Sequence, residues 1–335
     1  MDVDVFVTAH QGEWRRLEAL TARSGRLTGA EADELVALYQ RTATHLSTIR
    51  SATPDPVLLA RLSALVANAR HAVVGSHTFG WRDLGRFFTE VLPATFYLAW
   101  RWWVPVGVLF CLVSAVMGWW VASDSEVRAA IGTPELIREM TREGGAYEAY
   151  YSSHPAAAFA SQVWTNNARV AALTLLSGVL LGIPVVPLLW TNAENLGVGL
   201  GLMTSAGRLD VFLGLVVPHG LLELTAIFVA AGAGLRLGWT VIDPGPRRRL
   251  DALAQEGRAA AATAAGLTVV LLVAGAIEGF VTPSQLPTWA RIAIGVLAEA
   301  LFLAYVFGLG RRAVRAGETG DVSAELAGDR LPTAG

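Results

Sequence analysis

The sequence predicts an all-α protein: a polytopic membrane helix bundle of about six spans, preceded by a cytoplasmic helical bundle. Three observations predict it. Of the 335 residues, 53% are hydrophobic and the mean hydropathy is +0.45, well above a soluble domain. Several runs approach 20 apolar residues, the length that crosses a bilayer. The N-terminal quarter lacks such a run and instead repeats apolar residues at spacings of three and four.

The N-terminal elements follow from that repeat. Val3, Val7, His10, Trp14, Leu17 and Thr21 form the seam of a first helix. Thr28 with Glu31 is a capping box that starts a second. Its seam is Leu35, Leu38, Tyr39, Thr42, Leu46 and Ile49. The run from Ser51 to Pro56 breaks it, and Asp55 is placed to cap a third helix with seam Leu58, Leu62, Leu65, Ala69 and Val73. Three such helices pack as a small antiparallel bundle. His45, His71 and His77 lack the partner spacing of a metal site and read as surface or packing residues. Trp81 to Leu92 is amphipathic and reads as an interfacial elbow. Tyr97, Trp100, Trp102 and Trp103 form an aromatic belt beside it.

The spans come next. The first is about 103–122, closed by Trp119 and Trp120. A polar loop follows, with Glu135, Glu139, Glu143, Glu148, Tyr147, Tyr150 and Tyr151, and with a short surface helix from Pro134 to Arg142. The second span is about 169–190, kinked by Pro184 and Pro187. The fourth is about 211–235, and the last two are about 260–281 and 289–310. The basic run Arg247–Arg249 and the arginines 311, 312 and 315 belong on the cytoplasmic side, as do Arg82 and Arg86. An even number of crossings must separate these regions, so the Gly-rich stretch 191–207 is required as a third, short span. The predicted organisation is a cytoplasmic part (1–92), a membrane part (93–312) with an extracytoplasmic loop (123–165), and a disordered cytoplasmic tail (313–335). That places a multi-pass protein in a plasma membrane with both termini inside, and basic residues that are all Arg, together with abundant Ala, Gly and Val, point to a GC-rich bacterial source.

Composition narrows the partners. All 26 basic residues are Arg, with no basic patch interleaved with aromatics, so nucleic acid is not an expected partner and the lipid bilayer is. The single Cys111 forms no internal disulfide and reads as a small buried hydrophobe. Glycine pairs at 178/182, 197/201, 234/238 and 275/279 let helix backbones approach closely, within the bundle or in a homodimer.

The candidate functional residues are polar groups at membrane depth. His219 and Glu223 stand four apart on one helix face, and an ionisable pair there is costly enough to mark a function or a buried partner. Glu278, Asn166, Asn167, Asn192 and Asn195 complete a candidate outward-facing cluster. Glu194 is placed at the cytoplasmic interface, and Glu299 reads as a neutral, hydrogen-bonded carboxyl in the last span. Three readings of His219 and Glu223 stay open: a structural pair, a site for a polar ligand or proton, and a metal or hydrolytic centre with Glu278 or an Asn as further ligands. His-x-x-x-Glu alone is a weak metal signal, and no HExxH, GxSxG, Walker loop or Cys cluster occurs. No cofactor is expected.

These residues carry a resemblance. Trp164-Thr-Asn-Asn167, Pro218-His219-Gly220-Leu-Leu-Glu223-Leu224 and Glu278-Gly279-Phe280-Val-Thr-Pro-Ser284 resemble the stage II sporulation protein M family, in particular its members from GC-rich bacteria. The elbow Trp81…Phe87-Phe88…Pro93 and Trp14, Leu17, Leu38, Tyr39 and Asn68 extend the resemblance over nearly the whole chain. It departs where Asn192-Ala193 stands for the usual Asn-Gly. The resemblance implies a non-enzymatic membrane scaffold of an envelope-related complex. It also implies partners of the MoxR-type ATPase and von Willebrand-like domain classes. A membrane-embedded metal-dependent hydrolase, transporter or channel built on the His/Glu/Asn cluster is the alternative expectation.

Overall fold

The computed structural model describes residues 3–51, 56–74, 81–150 and 156–321. Asp55, His77, Tyr151 and the tail beyond 321 lie outside these segments. Every regular element among the described residues is helical. The chain divides into two units between Gly80 and Trp81, so the elbow belongs with the membrane part and not with the N-terminal 92 residues.

The first unit holds α1 (Val3–Ala22), α2 (Gly29–Ser51) and α3 (Pro56–Val74), each packed on the other two. The start of α2 is the expected capping box: Thr28 N–H donates to Glu31 at 2.9 Å and Glu31 N–H donates to Thr28 Oγ1 at 3.4 Å. The apolar seams meet in two clusters, one around Leu17, Leu20, Leu35, Leu38 and Ala69, the other around Trp14, Leu46, Ile49 and Leu62. Leu17 has no exposed surface. Leu17→Ala is therefore expected to destabilise this unit by roughly 2–5 kcal/mol, measured as lost hydrogen-exchange protection across residues 3–74.

In the second unit the elbow comprises α4 (Trp81–Arg86), a widened turn at 87–91 and α5 (Leu92–Leu98). Four helices are long and apolar enough to cross a membrane: Trp100–Ser123, Leu209–Ile242, Arg249–Val281 and Thr288–Arg315. The first two are α6 and α12; the third is α13 (Arg249–Ala276) with a widened turn at 277–281. The fourth is α14 (Thr288–Ala304), a widened turn at 305–310 and α15 (Arg311–Arg315). Between α6 and α12 lie the short helices α7 (Ser125–Ile131), α8 (Pro134–Thr141) and α9 (Ala146–Ala149), then α10 (Ala156–Leu176) and α11 (Val185–Ser205). Helix α12 is central, packing on α6, α10, α11, α13 and α14.

Several expectations are corrected. The span drawn over 169–190 does not exist: α10 ends at Leu176 and the chain turns at 177–184. Leu181 and Gly182 adopt positive φ there, and Pro184 caps α11 instead of kinking a longer helix. Hydropathy cannot see this turn, because Val179, Leu180 and Ile183 are as apolar as a span and remain exposed. The stretch 191–207 is the second half of α11, which starts at Val185 and so moves Glu194 to mid-helix. The polar loop ends where α10 begins at Ala156, well before residue 165. Residues 313–321 are ordered, not a free tail, because their polar groups find partners. Glu318 pairs with Arg86 at 3.2 Å, Thr95 Oγ1 donates to the Gly320 carbonyl at 3.4 Å, and Arg258 grips Asp321 at 2.5 and 2.8 Å. Cys111 is exposed on the outer face of α6 beside Leu112, because α6 is covered on one side only.

The glycine faces are used inside the chain. A Cβ on Gly178 would stand 2.4 Å from the Gly234 carbonyl oxygen, and one on Gly197 would stand 2.8 Å from that of Ser114. These contacts seat the turn after α10 on α12 and α11 on α6, which leaves those faces unavailable to a second copy.

Candidate metal centre

The local chemistry of two helices builds the site. On α12, Pro218 is followed at once by His219, and Glu223 lies one turn on. On the other side, the helical turn after Ala276 widens, with Thr282 N–H reaching the Ile277 carbonyl at 3.0 Å. Pro283 has no N–H to continue an α-helical ladder, and widened turns of this kind recur at functional sites. Glu278 and Thr282 leave this turn toward His219.

The result is a compact constellation. His219, Glu223 and Glu278 each offer one ligand atom, and these atoms lie within 4.8 Å of one another. His219 and Glu278 are buried, at 6% and 3% exposure. His219 Nε2 stands 3.8 Å from Glu278 Oε1, too long for a hydrogen bond. Two ligands each about 2.1 Å from one tetrahedral ion stand roughly 3.4 Å apart, so the observed gap suits a shared ion better than a direct bond. The other Glu278 oxygen, Oε2, is buried with no hydrogen-bond partner among the described residues. Two carboxylates beside one imidazole form an acceptor-rich site in low dielectric, which a divalent cation would neutralise.

Thr282 orients the imidazole. Its Oγ1 lies 3.3 Å from His219 Nδ1 and 3.5 Å from the Ile277 carbonyl oxygen. With the hydroxyl donating to that carbonyl, its oxygen accepts from Nδ1–H, and Nε2 is the ring nitrogen that faces Glu278. Partners of this kind set the tautomer and basicity of metal-ligating histidines. Thr282→Val is accordingly expected to weaken zinc binding about 10- to 100-fold, read by competition with a chelating dye.

A polar cavity of about 490 Å³ adjoins the site, with Thr282 in its wall beside Glu148, Arg208, Asp210, Ser284 and Arg291. Arg208 pairs with Glu148 and donates to the Thr141 carbonyl at 2.7 Å, and Arg291 donates to the Thr282 carbonyl at 2.6 Å, so only Arg291 is held by the loop that carries Thr282. Tyr150 lies at this end as well. Burial first, then the Glu278 and Glu223 carboxylates, hold its phenol above the ordinary value.

The structure does not gather all the residues expected in one cluster. Asn166 is exposed on α10 and its amide donates to Asn167 at 3.4 Å. Asn192 donates to its own helix at the Leu188 carbonyl, 2.7 Å away, and Asn195 is exposed on α11. None of the four is a member of the His219 constellation. The shift in helix boundaries explains this, since both α10 and α11 begin earlier than expected, which moves these asparagines along and around their helices. Glu299 accepts from Thr225 Oγ1 at 3.0 Å and stays apart from His219.

A second constellation escaped the sequence reading. His10, Glu13 and His45 also bring three possible ligand atoms within 4.8 Å. His10 and Glu13 are one turn apart on α1, a visible signal, but His45 joins them only through the packing of α2. The imidazoles of His10 and His45 lie 4.0 Å apart with their planes tilted by 39°, and Trp14 Nε1 donates to His45 Nδ1 at 3.2 Å. An indole N–H only donates, so His45 carries its proton on Nε2 and presents no free lone pair. Burial first, then the His10 charge, depress the His45 pKa. This group is a packed aromatic network, whereas the His219 group brings one imidazole and two carboxylates to one point.

Comparison with known proteins adds two matches. A family model described as Stage II sporulation protein M matches residues 107–283, a little over half of the chain. A second, described as a domain of unknown function (DUF8413), matches residues 4–75. No curated protein and no solved structure matches the chain.

Proposed function

Because this chain belongs to the stage II sporulation protein M family, we propose that it is a multi-pass plasma-membrane component of an envelope-related complex whose membrane part holds one divalent metal ion at His219, Glu223 and Glu278. The observation that carries the metal reading is the convergence of one imidazole and two carboxylates within 4.8 Å. A mixed nitrogen and oxygen set of this kind suits zinc or a neighbouring first-row ion. The ion ties α12 to the end of α13, so its part is structural: it fixes the end of the bundle that carries the polar segment before α10.

The topology is part of the proposal. Helices α10 and α11 have 21 residues each, about 31 Å at 1.5 Å per residue, enough to cross with α6, α12, α13 and α14. Six crossings put Arg82, Arg86, Arg247–Arg249, Arg311, Arg312 and Arg315 on the cytoplasmic side. The N-terminal helices then offer an inside surface for partners of the MoxR-type ATPase or von Willebrand-like class, and the segment 123–155 offers an outside one. The polar cavity above Thr282 favours a second reading, a metal-dependent hydrolase open to the outside.

The test is metal stoichiometry. Full-length protein in lipid nanodiscs is dialysed against zinc and then against metal-free buffer, and its metal content is measured. One zinc per chain, absent from Glu278→Gln, supports the reading. A chain that retains no zinc, manganese or iron shows the three side chains to be a structural ion and hydrogen-bond group.

A further inference from the structure

The walls of α10 and α11 carry polar groups where a crossing helix would meet lipid. On α10 the exposed residues include Gln162, Asn166 and Arg169, at intervals of four and three that form one stripe. On α11 Glu194 and Asn195 are exposed. Arg169 is thirteen residues from the start of α10 and seven from its end, about 20 and 10 Å along the axis. Glu194 is nine residues from one end of α11 and eleven from the other, about 14 and 17 Å. Neither side chain makes an ion pair or hydrogen bond among the described residues.

An exposed guanidinium and an exposed carboxylate this deep in hydrocarbon are costly unless something polar covers them. Nothing among the described residues does so: Arg169 and Glu194 are exposed, whereas Val163 on α10 and Ala193 and Gly197 on α11 are buried where these helices pack on the rest of the bundle. The two charges have opposite sign and stand on consecutive helices. That is the pattern of a self-complementary surface, in which one residue meets the other across a two-fold axis and the reverse contact follows by symmetry.

We propose that α10 and α11 form an intramembrane interface with a second copy of this chain, in which Arg169 of each copy pairs with Glu194 of the other. The proposal rests on the reading that α10 and α11 cross the bilayer, and it is independent of the metal centre. It places the copy-to-copy contact on polar side chains. The glycine faces, which a membrane dimer would ordinarily use, are filled inside the bundle.

Charge exchange tests it. The full chain, with Cys111→Ser and a fluorophore on one added terminal cysteine, is placed in liposomes at graded protein-to-lipid ratios, and dimer fraction is measured by photobleaching steps. The expected result is a dimer whose half-point moves at least tenfold with Arg169→Glu or with Glu194→Arg and returns to the wild-type value in the double exchange. Both residues are exposed, so folding of each variant is checked by its thermal transition. A wild type that stays monomeric, single exchanges without effect, or a double exchange that fails to restore dimers overturns the proposal. A parallel arm separates it from the topology: Arg169→Cys and Glu194→Cys, in the Cys111→Ser background, are treated with a membrane-impermeant maleimide in open vesicles. Rapid labelling of both removes the crossing helices and the proposal with them. Protected cysteines together with uncoupled charge exchanges remove the dimer alone.

Discussion

Replacing His219 by alanine is expected to lower zinc affinity by more than about 100-fold and to leave less than one ion per chain after dialysis. Loss of an outer partner of a ligating histidine costs about 10- to 100-fold, and loss of the ligand itself exceeds that. The reason lies in the geometry. His219 supplies the only nitrogen in the constellation, and Thr282 aims it. Without it two carboxylates remain, and the ion loses its one nitrogen ligand. Binding should also weaken as pH falls, since all three ligands must be deprotonated. Asn166→Ala and Asn167→Ala serve as controls and should leave affinity unchanged, because both residues lie outside the constellation.

Gly295→Ala is expected to destabilise the membrane part by about 1–3 kcal/mol, the usual range for overpacking, and to lower zinc affinity with it. A Cβ at this position would stand 2.3 Å from the Pro218 carbonyl oxygen and 2.7 Å from its Cα. Both are backbone atoms, so no side chain can swing aside and α14 must move off α12. Pro218 immediately precedes His219, so the displacement reaches the metal ligand. Gly257→Ala is the contrasting case. Gly257 lies within α13 with nothing inside 4 Å of the added carbon, so alanine should be neutral or stabilising by up to about 1 kcal/mol. Thermal unfolding of both variants in nanodiscs, with zinc titration of each, separates local crowding from a general intolerance of alanine.

What was legible in the sequence was what short-range chemistry decides. The Thr28–Glu31 box lies within one turn, and the α2 seam Leu35, Leu38, Thr42, Leu46 and Ile49 is buried as its spacing requires. His219 and Glu223 were placed on one face by their four-residue interval, and Glu278 was a candidate because a carboxyl is rare at such a depth. What was not legible depends on contacts distant in sequence. The turn at 177–184 is invisible to hydropathy, since its residues are as apolar as the helices it joins. Thr282 carries no signal of its own, because its role exists only once the widened turn at 277–281 brings it toward His219. His45 meets His10 and Glu13 only through the packing of α2 on α1. The asparagines fall outside the site because α10 starts at Ala156, thirteen residues before the expected second span, and α11 at Val185, six before the expected third.

The most direct test of the central claim is the zinc-edge X-ray absorption spectrum of the zinc-loaded full chain. The expected shell holds one histidine nitrogen with carboxylate oxygens at about 2.0–2.2 Å and no sulfur, and it disappears in His219→Ala. A sulfur shell, a shell of two imidazoles, or a spectrum unchanged by His219→Ala would contradict the account.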